Sequence, residues 1–144
     1  MTTAVAADAR PFAEPLERLK RAGLRPTRQR LALARLLFSR GDRHLSAEQL
    51  HAEAKAARVV VSLATVYNTL NQFTRAGLLR EVVVEAGRSY FDTNTSDHHH
   101  VLAVATGSLI DIPAGTLAVS GLPEIPDGLE VERVDVVVRL RPRA

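Results

Sequence analysis

The fold turns on Ser62-Leu63-Ala64-Thr65-Val66-Tyr67-Asn68-Thr69-Leu70-Asn71-Gln72-Phe73-Thr74-Arg75-Ala76-Gly77. Leu63, Val66, Leu70 and Phe73 recur at spacings of 3, 4 and 3, which puts them on one face of an α-helix. Ser62 supplies an N-cap and Gly77 a stop. At about 100° per residue, Ala64, Asn68, Gln72 and Arg75 lie opposite the apolar face, with Thr65 near that outward side and Tyr67 on its flank. A helix that only meets solvent usually carries Glu and Lys outside. This one carries amides, hydroxyls and small methyl groups, which suit contact with base edges in a DNA groove.

The neighbouring segments extend the pattern on both sides. Residues 14–22 read as a short helix ending at Gly23. Thr27 N-caps a second helix whose buried stripe is Leu33, Leu36 and Leu37, and which stops near Gly41-Asp42. Ser46 and Gln49 form a capping box that opens a third helix through about Ala57, and Val59-Val60-Val61 then interrupts. Downstream, Leu78 to Val84 and Ser89 to Asp92 flank Ala86-Gly87 and predict a two-stranded hairpin. Helices followed by such a hairpin predict a winged helix-turn-helix, a DNA-binding module.

Past residue 97, Val101 to Ala105 and Leu109 to Ile112 predict a strand pair around Thr106-Gly107. Residues 113–128 hold three prolines and three glycines, so any helix there is short. Leu129 to Leu140 reads as a long valine-rich strand. The expected fold is α+β. A winged helix-turn-helix domain spans residues 1–92, with a flexible arm at 1–12, and an α/β dimerisation and sensing domain spans 93–144.

Charge divides along the same line. Residues 1–80 carry 14 Lys and Arg against 6 Asp and Glu, while residues 81–144 carry 5 against 10. Seventeen of the nineteen cations are arginine, whose planar fork suits phosphate and guanine edges. Eight cations and only one anion fall between Lys20 and Arg43, a footprint for the phosphate backbone. Arg25, next to Pro26 and outside regular helix, could enter a narrow minor groove or grip the backbone. The chain has no cysteine, which excludes disulfides, thiolate metal sites and thiol nucleophiles. Residues 1–9 lack a signal-peptide core, and no apolar run reaches the roughly 20 residues of a membrane helix. A cytoplasmic protein without membrane partners is expected.

The second chemical feature is His98-His99-His100, preceded by Asp92 and Asp97 and followed by Asp111. Imidazole nitrogen with carboxylate oxygen is a ligand set for iron, manganese or zinc, and imidazole alone ligates haem iron. In an extended strand His98 and His100 point to one face and His99 to the other. His44 reads as a loop histidine and His51 as a surface residue of the third helix. A hydrolase has little support, since the chain has no H-E-x-x-H helix, no glycine-rich phosphate loop and no Ser-His-Asp arrangement.

At Leu24-Arg25-Pro26-Thr27-Arg28-Gln29-Arg30, His44-Leu45-Ser46-Ala47-Glu48, Ser62-Leu63-Ala64-Thr65-Val66-Tyr67 and Tyr90-Phe91-Asp92 through His98-His99-His100, the chain resembles the ferric uptake regulator family. The resemblance runs from about residue 17 to 112 and includes the terminal strand. The bare histidine triplet, Asn68 and the ending Val134-Asp135-Val136-Val137-Val138-Arg139-Leu140 look most like the iron response regulator branch of alphaproteobacteria.

This resemblance implies a homodimeric iron-status regulator of iron and haem genes that binds an A·T-rich pseudo-palindrome of double-stranded DNA. It implies DNA contacts from Arg25, Thr27, Arg28, Arg30, Ser62, Thr65, Tyr67 and Asn68, with Tyr67 touching thymine methyls and Arg25 near the minor groove. It places a regulatory Fe(II) or Mn(II) on His44, Asp92, His98, His100 and Asp111, and it makes His98, His99 and His100 the candidates for haem. Asp111, where iron sensors usually carry Glu, keeps a peroxide sensor of the same family open as the alternative. The chain also departs from the family. Ala103 and Thr106 stand where paired cysteines hold a structural zinc, so that site is not expected. Val134 replaces a ligating histidine, Asn68 replaces the usual arginine, and the histidine-rich segment is one residue shorter.

Overall fold

The computed structural model describes residues 12–85 and 87–144. The expected arm over residues 1–12 lies outside them except for Phe12, as does Ala86 of the expected hairpin turn. The chain divides into two compact units, one running to Thr95 and one from Ser96 to Ala144.

The N-terminal unit holds helices α1 (Ala13–Arg21), α2 (Arg28–Phe38), α3 (Ala47–Ala56) and α4 (Leu63–Arg75). Side-chain oxygens of Thr27, Ser46 and Ser62 accept the backbone N–H three residues on, which satisfies donors that a helix start otherwise leaves unpaired. At Ser46 the capping box closes in both directions, because Gln49 Oε1 accepts the Ser46 N–H at 2.8 Å. Helices α1, α3 and α4 end alike. The Leu24, Val59 and Leu78 N–H groups reach back to Leu19, Ala54 and Phe73 carbonyls, which closes a Schellman turn each time. The residue at the left-handed position is Gly23, Arg58 and Gly77 respectively, and Arg58 adopts φ 59° without a glycine's freedom.

Strands β1 (His44–Leu45), β2 (Arg80–Glu85) and β3 (Arg88–Asp92) form an antiparallel sheet in the order β1-β3-β2. The expected two-stranded hairpin is therefore part of a three-stranded sheet, and His44 lies in a strand rather than a loop. Two residues are too short a run to read as a strand, and the pairing comes from β3, far along the chain. Leu19, Leu33, Leu37, Leu50, Val66, Leu70 and Phe73 are fully buried in one cluster that Leu45 and Phe91 join from the sheet. Burial of such side chains stabilises by roughly 1.5–3 kcal/mol each. α4 is thereby fixed by its apolar face, while Ala64, Tyr67, Asn68 and Arg75 remain exposed.

The C-terminal unit holds β4 (His99–Ala103), β5 (Ser108–Ile112) and β6 (Val137–Leu140), in the order β5-β4-β6. β4 is antiparallel to β5 and parallel to β6. β4 begins two residues before the expected Val101, so it takes in His99 and His100. The long terminal strand expected from Leu129 is only its last four residues. A strand needs a partner along its length. β4 offers register only from His100 to Ala103, and Glu130, Glu132, Arg133 and Asp135 favour water over a sheet face. Residues 113–136 form no helix. Pro113, Pro123 and Pro126 each lack an N–H donor and interrupt any helical run there.

Candidate functional site

Two surfaces carry chemistry, one in each unit. In the N-terminal unit, the exposed side of α4 is held at its start by Ser62. Its hydroxyl donates to Thr65 Oγ1 at 2.9 Å and accepts the Thr65 N–H at 3.1 Å. Ser62 and Thr65 therefore shape the helix entrance. Tyr67 and Asn68 present side chains to solvent. The Tyr67 hydroxyl donates to Glu48 Oε1 of α3 at 2.6 Å. That bond lowers the pKa of Glu48 and raises that of Tyr67, because it favours an ionised carboxylate beside a protonated phenol. Glu48 was absent from the sequence-based candidates; only its exposed place in the first turn of α3 signals it.

The arginines sort into two groups. Arg25 and Arg28 are exposed, whereas Arg30 is anchored: its guanidinium donates to the Arg25 carbonyl at 2.8 Å and to Gln72 Oε1 at 2.9 Å. Gln72, expected to face outward, is half-buried by that bond. Arg43 likewise leaves the expected phosphate footprint, since it pairs with Glu53 and donates to the Leu36 carbonyl. Thr27 serves as the N-cap of α2. His51, read as a plain surface residue, is partly buried, and its Nε2–H donates to the Val61 carbonyl at 3.1 Å. It thus ties α3 to the lead-in of α4.

Asp92 closes β3 and is 1% exposed, with its Oδ1 accepting the Asn94 N–H at 2.9 Å. In the ladder it stands opposite His44 on one side and Arg80 on the other. Directly opposed residues of antiparallel strands share a face, so an imidazole, a carboxylate and a guanidinium form one row. Arg80 is 3% exposed, a buried permanent cation that the sequence reading did not single out.

In the C-terminal unit His98 and His100 are buried and their rings lie 4.5 Å apart, centroid to centroid. His98 Nε2 and His100 Nε2 approach the same oxygen, Asp111 Oδ1, at 3.4 and 3.3 Å. β4 and β5 make this meeting, since His100 is the register partner of Asp111. One ligand atom from each of these three residues falls within 4.8 Å of the others. His98 Nδ1 is 2.7 Å from the Ser96 carbonyl, which can only accept, so Nδ1 carries the proton. His98 Nε2 is thereby the atom turned toward the carboxylate oxygen, and in the neutral ring it offers a lone pair that a cation between the two would accept. A second-shell carbonyl that fixes the imidazole tautomer is also the usual support of a metal-ligating histidine.

His99 is built the opposite way. Its Nδ1 accepts the Val136 N–H at 3.1 Å, so its Nε2 carries the proton and cannot donate a lone pair to a metal. His99 fastens the segment entering β6. Asp97 is exposed. A cleft of about 130 Å³ lies beside His98 and His99, closed by Ile112, Pro113 and Leu117. Sites for organic ligands usually run to roughly 300–1,000 Å³, so this cleft is closer in size to an ion site.

Comparison with known proteins gives one consistent answer. The model of the ferric uptake regulator family matches residues 21–126. The ferric uptake regulation protein of Pseudomonas aeruginosa is 38% identical over 94 residues, 65% of this chain and 70% of that protein. The peroxide-responsive repressor PerR of Staphylococcus epidermidis is 33% identical over 98 residues, 68% of this chain and 65% of that protein. Among solved structures, the Pseudomonas aeruginosa ferric uptake regulator with manganese superposes with a TM-score of 0.66 at 26% identity, covering 90% of this chain and 98% of that one. The Vibrio cholerae ferric uptake regulator gives 0.68 at 25% identity, covering 88% and 98%.

Proposed function

The chain belongs to the ferric uptake regulator family, and on that premise we propose that it is a cytoplasmic, dimeric transcriptional regulator whose binding to A·T-rich pseudo-palindromic DNA is switched by Fe(II) or Mn(II). The observation that carries the sensing half is the convergence of His98 Nε2 and His100 Nε2 on one Asp111 oxygen, with the Ser96 carbonyl fixing the His98 tautomer. His98, His100 and Asp111 would hold the ion, with Asp92 and His44 completing the set as the family resemblance implies. The ion supplies a positive charge that this donor set lacks. The manganese named in the Pseudomonas aeruginosa structure supports that class of metal.

The reading half of the proposal rests on α4. Tyr67 and Asn68 would face bases, and Arg25 and Arg28 would bind phosphate or the minor groove. Thr27, Ser62 and Thr65 would act by shaping helix entrances, and Arg30 by holding α2 against Gln72 of α4. Dimerisation is supported by the C-terminal unit's own surface. Among the described residues its only buried aliphatic side chains are Leu102 and Leu109, while Ile110, Leu122, Leu129, Val131 and Leu140 are exposed. A unit with so little interior gains stability by covering such a surface with a second copy. No helix among the described residues is long and apolar enough to cross a membrane.

Control of iron and haem genes, as in the iron response regulator branch, is part of this proposal, but the donor arrangement fits an ion and not haem. His98 and His100 are buried around a carboxylate, and His99 holds its proton on Nε2. Peroxide sensing is the second reading. It is favoured by Asp111 as the converging carboxylate and by likeness to peroxide-responsive repressors.

Mobility-shift assays on an A·T-rich palindrome with Mn(II) titrated test the main reading. Wild-type protein is expected to bind selectively as Mn(II) rises, and His98→Ala/His100→Ala to lose that dependence. Selective binding with unchanged Mn(II) dependence in the double variant would overturn the site assignment. Mass spectrometry after Fe(II) and peroxide tests the second reading, where absence of added oxygen on His44, His98 and His100 rules it out.

A further inference from the structure

A carboxylate is a liability on a surface that must approach phosphates, because like charges repel and desolvation adds to the cost. Glu48 is nevertheless exposed and sits against the outward side of α4, with its Oε1 2.6 Å from the Tyr67 hydroxyl. The rest of its surroundings explain why it stays ionised. It occupies the first turn of α3, where the helix N-terminus favours negative charge, and the Arg88 guanidinium of β3 adds attraction. None of this explains why a carboxylate should stand there. Tyr67 does.

Tyr67 is an aromatic side chain 39% exposed, with two side-chain torsions and its hydroxyl end turned toward Glu48. Left alone, such a ring samples several rotamers and loses that freedom when it meets a base. A charge-assisted hydrogen bond at the far end of the ring selects one aim. The bond spans two helices, from the reading helix α4 to α3, whose own start is locked by the Ser46–Gln49 capping box. The acceptor is therefore on a fixed base.

We propose that Glu48 is a positioning residue for base recognition: by accepting the Tyr67 hydroxyl it fixes the aim of the ring on α4, while its charge weakens binding to DNA of any sequence alike. The proposal rests on the reading of α4 as the DNA-reading helix. It separates two quantities that most surface substitutions move together. Removing Glu48 weakens binding to the matched site and strengthens binding to unmatched DNA.

Fluorescence anisotropy of the full-length protein with Mn(II), on an A·T-rich palindrome and on a scrambled duplex of equal length, reads both. Glu48→Ala is expected to lower the matched-to-scrambled affinity ratio by about 5- to 10-fold, the loss of one hydrogen bond's discrimination. Scrambled-duplex affinity is expected to rise a few-fold as a negative charge leaves. Glu48→Gln keeps an acceptor oxygen, so it should retain the ratio while still raising scrambled-duplex affinity. Tyr67→Phe should lower the ratio as Glu48→Ala does, and the double variant no further. Unfolding curves matching wild type confirm that these exposed changes leave the fold intact. A wild-type ratio in Glu48→Ala, or losses that add in the double variant, would overturn the positioning role alone. A wild-type protein with no preference for the palindrome would overturn the reading of α4, and this proposal with it.

Discussion

The N-terminal unit closes its interior with leucine, valine and phenylalanine, whereas the C-terminal unit places two imidazoles where a core would ordinarily hold aliphatic side chains. The first arrangement is complete without help: α2, α3 and α4 capped at their starts, three Schellman turns, and Leu70 and Phe73 with no exposed surface. The second is conditional. His98, His100 and Asp111 gather lone pairs at one point, and aliphatic residues are left facing outward. A unit whose interior is a ligand set is stable in proportion to what it binds. On the proposed reading, that dependence would make the small β-sheet the sensor and leave the DNA-reading role to α4 in the other unit.

The contrast can be broken at its strong end by Phe73→Ala. Removing a fully buried aromatic from the N-terminal core is expected to cost about 3–5 kcal/mol in denaturant unfolding. A cost below about 1 kcal/mol would show that this core is looser than its burial suggests. The conditional unit is probed by Mn(II) itself. At a hundredfold excess over its dissociation constant, the ion should stabilise by about 2.7 kcal/mol, read as a rise in melting temperature. His98→Ala/His100→Ala should abolish that rise; a rise that persists places the ion elsewhere.

The smallest effect sharpens the comparison inside the triplet. His99→Phe removes the acceptor of the Val136 N–H and should cost about 1 kcal/mol, while the Mn(II)-induced rise stays as in wild type. Loss of the Mn(II) response in that variant would return His99 to the ligands.

Local signals carried most of the N-terminal unit. Thr27, Ser46 and Ser62 mark helix starts by chemistry that acts within four residues, and the Leu63-Val66-Leu70-Phe73 spacing states which face is buried. What escaped depends on partners distant in sequence. β1 exists because β3 pairs with it, Arg30 is held by Gln72, and Arg43 by Glu53. The valines before β6 looked like strand because valine suits strands, yet β4 supplies a neighbour only from His100 onward. The candidate ion site was visible as residue types, and alternation alone separated His98 and His100 from His99. The tautomers were not visible, because they follow from the Ser96 carbonyl and the Val136 N–H, backbone groups that do not depend on side-chain type outside proline.

The parallel pairing of β4 with β6 also sets a schedule. Everything that β1, β2 and β3 require has been synthesised once Asp92 is added, so the N-terminal unit can fold early on a growing chain. The strand bearing His99 and His100 pairs at once with β5, but its other edge must wait for Val137–Leu140 to return across residues 113–136, a slow closure for an irregular segment. During synthesis, a nascent chain therefore completes helix α4 and the sheet behind it before it completes the C-terminal sheet.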